Sequence, residues 1–241
     1  MTRAIILAAG RGERMRPLTD EIPKPLLEVH GRPLIEWHLI ALARAGVREV
    51  VVNTAWLEER IVAALGDGAR FGVAIRYSME GREHGGALET AGGIATALPL
   101  LVDHAEDPFW IVSADIYAPA FAFEPAAVER YAASPADAHL WLVPNPPFHP
   151  HGDFGIDADG HGLADAPEGA RYTYANFALG RAALVAGVTP GTRAALGPLL
   201  FDGMRRRRIT AELYSGPWDN IGTPEQLAAL NALRRRGVAR E

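Results

Sequence analysis

The sequence contains no cysteine, which excludes disulfides, thiolate nucleophiles and cysteine-ligated zinc or iron–sulfur centres together. No stretch approaches the roughly 18 consecutive apolar residues of a membrane span. The opening "MTRAIILAAG" gives way to charge too soon to serve as a signal peptide, so a cytoplasmic location and no membrane partner are expected. Net positive charge is also lacking: the formal charge is −5, which argues against a broad nucleic-acid or anionic-membrane footprint. Lysine is almost missing, since Lys24 is the single lysine among 24 basic residues. Any anionic ligand must therefore be held by a local cluster. The segment Leu7–Leu27, "LAAGRGERMRPLTDEIPKPLL", is such a cluster: two glycines, three prolines and four positive charges directly behind an apolar run.

What is present suffices for an ordered fold. With 241 residues, 49% of them hydrophobic, the chain can bury an ample core and wholesale disorder is not expected. Arg3–Leu7 reads as a short buried strand ended by glycine. Pro33 then stands at an expected first helical position, and Gly46 at the C-terminal cap of that helix. Val47–Thr54, "VAIRYS" and "PFWIVSAD", ending at Asp115, read as further strands. Leu57–Leu65 reads as a helix closed by Gly66, and Thr90–Leu101 as a helix starting after "LETAGG".

This alternation argues an α/β fold: a Rossmann-like, mostly parallel central sheet with helices on both faces. After Asp115 the pattern becomes antiparallel in flavour. "AHLWLVP", "GDFGIDADGHGLAD" (turning at "DADG") and "YTYANFALG" read as strands, followed by helices near Leu196–Met204 and from Pro224 to about Arg236. One domain over residues 1–241 is expected, with a first half to about residue 118 and a smaller antiparallel part in the second. In open α/β sheets ligands sit beyond the carboxyl ends of the strands, so the opening loop and Asp115 belong at one rim.

Gly10 and Gly12 allow consecutive N–H groups to point into one concavity, a nest suited to phosphate oxygens; a plain turn is the other reading. The loop is not a GxxxxGK[ST] phosphate loop, and Met15 stands where a dinucleotide fingerprint needs its third glycine. The charges favour phosphate: Arg11, Arg14 and Arg16 lie close together, and Lys24 is presented from a stiff segment between Pro23 and Pro25. "RRRR" at Arg205–Arg208 follows an expected helix, where cations meet the C-terminal dipole. It and the terminal "RRRGVAR" read as solvated helix ends rather than a nucleic-acid site.

Leu7–Leu27 resembles the signature of the sugar-1-phosphate nucleotidyltransferases, LAAGxGxRMRPLTxxxPKPLL, and the likeness extends through "LETAGG", "SAD" (Ser113–Asp115), "GDF" (Gly152–Phe154) and "WDNIGTPEQL" (Trp218–Leu227). Within that family, "LETAGG", "NPPFHPHGDF" and the short length are most similar to the N-acetylmuramate α-1-phosphate uridylyltransferases of cell-wall recycling. The resemblance implies transfer of a nucleotidyl group, from UTP to a sugar 1-phosphate, with release of pyrophosphate. It implies nucleotide contacts from Leu7, Ala8, Ala9, Gly10 and Gly12 and from Leu88, Glu89 and Thr90, with Arg14 on the β- and γ-phosphates and Lys24 near the α-phosphate. Glu80 lies near the base or is a solvated loop carboxylate.

The resemblance further implies sugar contacts from Gly152, Asp153, Asp165 and Asn176, and a Mg²⁺ ion. Asp115 is the expected ligand, a cap of the following segment being its other reading. The family's second metal aspartate falls at Asn220, which keeps an oxygen but lacks a charge; Asp219, beside it, should point the other way. A lactyl carboxylate calls for a cation, with His149 and His151 as candidates or ordinary loop histidines. A different nucleotide and sugar pair, or a silent nucleotide-sugar-binding module, are the competing readings. The oligomeric state is not legible.

Overall fold

The computed structural model describes residues 2–237, with side chains described as far as Leu233; the terminal "RRRGVAR" lies outside that side-chain description. Seven strands form the main sheet: β1 Arg3–Leu7, β2 Glu49–Thr54, β3 Ala74–Met79, β4 Phe109–Ser113, β5 Ala138–Val143, β6 Thr173–Gly180 and β7 Ile209–Leu213. Their spatial order is β7-β5-β6-β4-β1-β2-β3. β6 runs antiparallel to both its neighbours, and every other pairing is parallel.

Helices α1 Leu34–Arg44, α2 Glu58–Leu65 and α4 Pro125–Ala132 cover one face; α3 Glu89–Leu101 and α5 Leu196–Arg205 cover the other. Both faces are buried, so the strands carry continuous apolar runs rather than alternation. In β1, Ala4 and Ile6 pack into the first layer and Ile5 into the second. The last helix, α6 Pro224–Gly237, docks through Leu230 onto a small third cluster with Met15, Val29 and Tyr117. The architecture is the α/β one that composition and spacing predict.

The differences are local and have physical reasons. α3 takes in Glu89–Gly93 of "LETAGG", with Leu88 as its N-cap, rather than following the motif. Gly92 and Gly93 look like helix stops but are packing requirements: a Cβ on Gly92 would lie 2.2 Å from the Thr192 carbonyl oxygen, and one on Gly93 2.6 Å from both Asn53 Nδ2 and Glu80 Oε1. Pro33 sits one residue before α1, as its N-cap, while Gly46 follows that helix at φ +89° as expected. Leu57 is likewise the left-handed N-cap of α2 rather than its first residue. The hairpin around "DADG" shrinks to Gly155–Ile156 against Gly162–Leu163. β7 and α4 escape sequence reading, β7 because a five-residue strand directly behind an arginine run, with polar Thr210 and Glu212 among its residues, carries little apolar signal.

Arg205–Arg208 do more than meet a helix dipole. Each pairs with an aspartate: Arg205 with Asp165 at 3.4 Å, Arg206 with Asp202 at 2.9 Å, Arg207 with Asp157 at 3.1 Å and Arg208 with Asp137 at 2.7 Å.

Candidate active site

The loop after β1, Asn53 near the end of β2 and Asp115 just beyond β4 converge at the carboxyl rim of the sheet. They enclose a cavity of about 550 Å³, bounded by Leu7–Gly10 with Gly12, by Arg14 and Lys24, and across from them by Ala87, Glu89 and Thr90. Gly12 adopts φ +68°, and its carbonyl accepts the Thr19 hydroxyl at 2.8 Å. A Cβ there would press on Thr19 and on Lys24 Cβ at 3.2 Å. Glycine is therefore what lets the loop fold tightly over the lysine stem.

The four cations of the loop divide into two pairs. Arg11 and Arg16 both bond Asp20, at 3.1 and 2.8 Å, and the Arg11 guanidinium lies 3.4 Å from the Trp56 ring centroid. Arg14 and Lys24 instead line the cavity. Among the described residues Arg14 forms no ion pair; its guanidinium lies against the Gly222 backbone, where a Cβ would stand 3.5 Å from it. Lys24 Nζ donates to Asp115 Oδ2 at 2.7 Å. Around this cavity the two inward cations face three carboxylates, Glu13, Glu89 and Asp115, so an anionic ligand must be met by Arg14 and Lys24 individually rather than by a broad positive field.

Asp115 is fixed from below and from the side. The Ile221 amide donates to the Asp115 carbonyl at 3.1 Å, and Asp219–Asn220 pair antiparallel with Ile116–Tyr117. His38 Nε2–H donates to the Ile116 carbonyl at 2.8 Å, and burial pushes the His38 pKa down to about 4, so the ring is a neutral strut. Asn220 Oδ1 is buried with no hydrogen-bond partner. Asn220 lines the second cavity and Asp115 the first, on paired backbone segments; an orphaned amide oxygen and a carboxylate are of the hard-oxygen kind that Mg²⁺ takes. Among the described residues no group of three or more His, Asp or Glu side chains is placed to hold a metal. An ion here would draw the rest of its shell from phosphates and water. Asp219 lines neither this cavity nor the next.

A second cavity of about 710 Å³ adjoins the first and shares Arg14, Glu89 and Thr90 with it. Asp153, Asn176, His149 and Trp218 lie on its wall. Asp153 uses both carboxylate oxygens, accepting the Tyr174 amide at 2.8 Å and facing His149 Nε2 at 3.0 Å. Asn176 adopts φ +61° where the register of β6 against β5 shifts. Such bulges re-aim side chains beside functional sites. Trp218 Nε1–H donates to the Ala175 carbonyl at 3.0 Å, tying the segment before Asn220 to the same bulge.

Four of the expected contact residues line neither cavity. Asp165 is not brought to either cavity; it pairs with Arg205 on the surface. Gly152 lies behind the second wall, at φ +62°, where a Cβ would stand 2.6 Å from Asn145 Oδ1. Glu80 is neither solvated nor at a wall: it is fully buried and bonded to Asn53 and the Leu88 amide. Leu88 is itself buried, its carbonyl accepting the Ala194 amide at 3.0 Å. Of the two histidines, His149 reaches the cavity wall, whereas His151 pairs with Glu168 at the surface. Asn53 went unread, although a polar side chain ending the valine-rich run "VVVNT" was a signal. Trp218 and Phe148, also on the second wall, come from loops that carry no periodicity to read.

Comparison with known proteins gives a consistent answer. The nucleotidyl transferase family profile matches residues 3–165. Over 236 residues the chain is 44% identical to an N-acetylmuramate alpha-1-phosphate uridylyltransferase of Neisseria meningitidis serogroup B, covering 96% of this chain and 97% of that one. It is 34% identical over 237 residues to a protein of the same name from Caulobacter vibrioides, covering 95% of each. A crystal structure described as a glucose-1-phosphate thymidylyltransferase from Bacillus anthracis, in complex with sucrose, superposes with a TM-score of 0.82 at 21% identity, covering 98% of this chain and 96% of that one.

Proposed function

Because the chain belongs to the nucleotidyl transferase family, we propose that it transfers a uridylyl group from UTP to N-acetylmuramate α-1-phosphate, releasing pyrophosphate. The observation that carries this reading is the pair of adjoining cavities sharing a wall that contains Arg14. One suits a nucleoside triphosphate over the glycine loop, the other a sugar. The choice of uridine and of a muramyl sugar rests on the two full-length relatives, whose names specify both. The reaction belongs to the recycling of cell-wall sugars in the cytoplasm.

In this reading a phosphate oxygen of the sugar 1-phosphate attacks the α-phosphorus of UTP. A new P–O bond forms, the α–β phosphoanhydride breaks, and its electron pair leaves on pyrophosphate. The attacking oxygen is already anionic, so no side-chain base is required. What the protein supplies is alignment and charge neutralisation. The Ala8–Gly12 backbone cradles the triphosphate. Arg14, a planar fork with no ion pair among the described residues, grips the β- and γ-phosphates as they depart. Lys24, a compact charge at the end of a buried stem, meets the α-phosphate and the incoming phosphate.

Asp115 and Asn220 would hold Mg²⁺, which supplies neutralisation of the crowded phosphates when bound. Lys24 exchanges its Asp115 partner for phosphate as the site fills. With one charge fewer than a pair of aspartates, the site would hold Mg²⁺ somewhat more weakly than such a pair. Asn220→Asp should lower the Mg²⁺ concentration for half-maximal rate by about threefold or more; an unchanged Mg²⁺ dependence would remove Asn220 from the metal site.

The test is pyrophosphate release with Mg²⁺ and each of UTP, TTP, CTP, GTP and ATP, offered N-acetylmuramate 1-phosphate, N-acetylglucosamine 1-phosphate, glucose 1-phosphate or mannose 1-phosphate. Turnover confined to UTP and the muramyl sugar is expected. Turnover with a different pair keeps the mechanism and replaces the substrates. Nucleotide binding without turnover makes the protein a silent binding module.

A further inference from the structure

A run of buried hydrogen bonds crosses behind the first cavity. The Ala8 amide donates to Asn53 Oδ1 at 2.8 Å, Asn53 Nδ2 donates to Glu80 Oε1 at 2.6 Å, and the Leu88 amide donates to Glu80 Oε2 at 2.7 Å. Its ends lie on opposite sides of the cavity: Ala8 on the loop after β1, and Leu88 immediately before α3. Asn53 is 2% exposed and Glu80 0%. The surrounding chain is shaped to leave room for this pair. Gly93 has no Cβ because one would collide with both Asn53 Nδ2 and Glu80 Oε1, and Gly81 none because one would stand 2.4 Å from the Ala55 carbonyl oxygen. A second buried carboxylate, Glu58, accepts the Thr54 hydroxyl and the Gly81 amide, so the short helix Glu80–His84 is pinned to the end of β2 as well.

Burying a carboxylate is costly unless it is fully bonded, and burial does push the Glu80 carboxyl upward against the bonds from Leu88 and Asn53. A neutral side chain of similar volume would avoid that cost. What a carboxylate offers here is two acceptors facing two donors, a pattern no neutral side chain of this length provides.

We propose that Glu80 is a positioning residue for the nucleotide. Acting through Asn53 and the Leu88 amide, it sets the separation of the β1 loop from the start of α3, and so the width of the slot that receives the base. This inference rests on the nucleotide reading of the first cavity. It ties together the parts of "MEGREHGGALETAGG": the glutamate spans the slot, Gly93 clears the space for its bond to Asn53, and Gly81 lets the short helix approach Ala55 and Glu58.

The polarity of the run yields a specific test. Glu80→Gln has one acceptor for two donors, so its amide N–H₂ must face either Asn53 Nδ2 or the Leu88 N–H. Turning the Asn53 amide over only moves the clash to the Ala8 N–H. Adding Asn53→Asp restores every donor to an acceptor. The new aspartate accepts from the Ala8 amide and from the introduced glutamine N–H₂, and the glutamine carbonyl oxygen accepts from the Leu88 amide. Net charge is unchanged by the double substitution.

The measurements are UTP affinity by calorimetry in the presence of Mg²⁺, the KM for the sugar 1-phosphate, and Tm, for wild type, E80Q and N53D/E80Q. UTP affinity should fall about tenfold in E80Q, the loss of a charge-assisted bond. The sugar 1-phosphate KM should stay within about twofold, and the double variant should return UTP affinity to within about threefold of wild type. Retained UTP affinity in E80Q overturns the proposal, as does an equal loss for both substrates, which marks a merely structural role. Should E80Q not fold, the double variant decides: near-native UTP affinity supports the proposal, and failure to fold or a tenfold loss overturns it. A wild-type protein that binds no UTP overturns the functional reading, and this one with it.

Discussion

The two cavities are built by different means. The first lies over the ends of parallel strands, and its wall is largely backbone held by buried bonds: Gly12 over Thr19, Ala8 on Asn53, Leu88 on Glu80. The second is assembled around the antiparallel β6, from a register shift and from well-separated loops that supply Phe148, Asp153 and Trp218. Its wall is largely side chain. The comparison teaches a division of labour: a backbone cradle suits the triphosphate common to a whole family, whereas a side-chain wall can be exchanged to suit one sugar.

The largest effect expected from this division lies on the shared phosphate side. Lys24→Met and Arg14→Met should each lower kcat by about 10²–10³, the cost of removing one preorganised charge from a transition state, with Tm little changed. Losses under tenfold in both would break the assignment. Asp153→Asn sharpens the comparison from the other cavity. It should raise the KM for the sugar 1-phosphate about five- to tenfold, because the carboxamide leaves a single oxygen acceptor where the Tyr174 amide and His149 each have a carboxylate oxygen, while the KM for UTP holds; a matching rise for UTP would mean that the cavities are not separate.

A smaller effect is expected in stability beneath the joint. His38 is neutral in the fold, with its pKa near 4 against the ordinary 6.5. The unfolded chain therefore binds the extra proton between those values, so its stabilising contribution is full above pH 6.5 and is lost as pH falls toward 4. The slope is at most about 1.4 kcal/mol per pH unit. His38→Gln should flatten that part of a Tm profile, and an unchanged slope would remove His38 as its source. The smallest effect belongs to the outward half of the opening loop. Arg11→Ala loses a partly exposed pair with Asp20 and a stack on Trp56, so stability should fall by about 1 kcal/mol while kcat stays within about twofold. A kcat loss like that of Arg14 would erase the distinction between outward and inward cations.

The same contrast explains what could be read in advance. The parallel half was legible because continuous apolar runs, glycine stops and proline starts are local signals, and β1 falls on Arg3–Leu7 as read. The first cavity was legible because one contiguous loop supplies most of it. Within that loop, however, four similar cations gave no hint that Asp20 would claim Arg11 and Arg16, since that depends on a turn bringing Asp20 back. Glu80 illustrates the limit differently: its role follows from burial, which only packing reveals. Asp165 and Asp153 read alike as sugar contacts, yet Asp165 lies at the surface beside Arg205 and only Asp153 reaches the second cavity. Long-range partner choice decided each of these, and no local pattern encodes it.

The most direct measurement of the division is hydrogen exchange with each substrate in turn. UTP with Mg²⁺ should slow exchange in Ala8–Gly12 and Ala87–Thr90, and adding N-acetylmuramate 1-phosphate should extend protection to Phe148–Phe154 and Thr173–Asn176. Protection by UTP confined to the second set, or by the sugar confined to the first, would contradict the account.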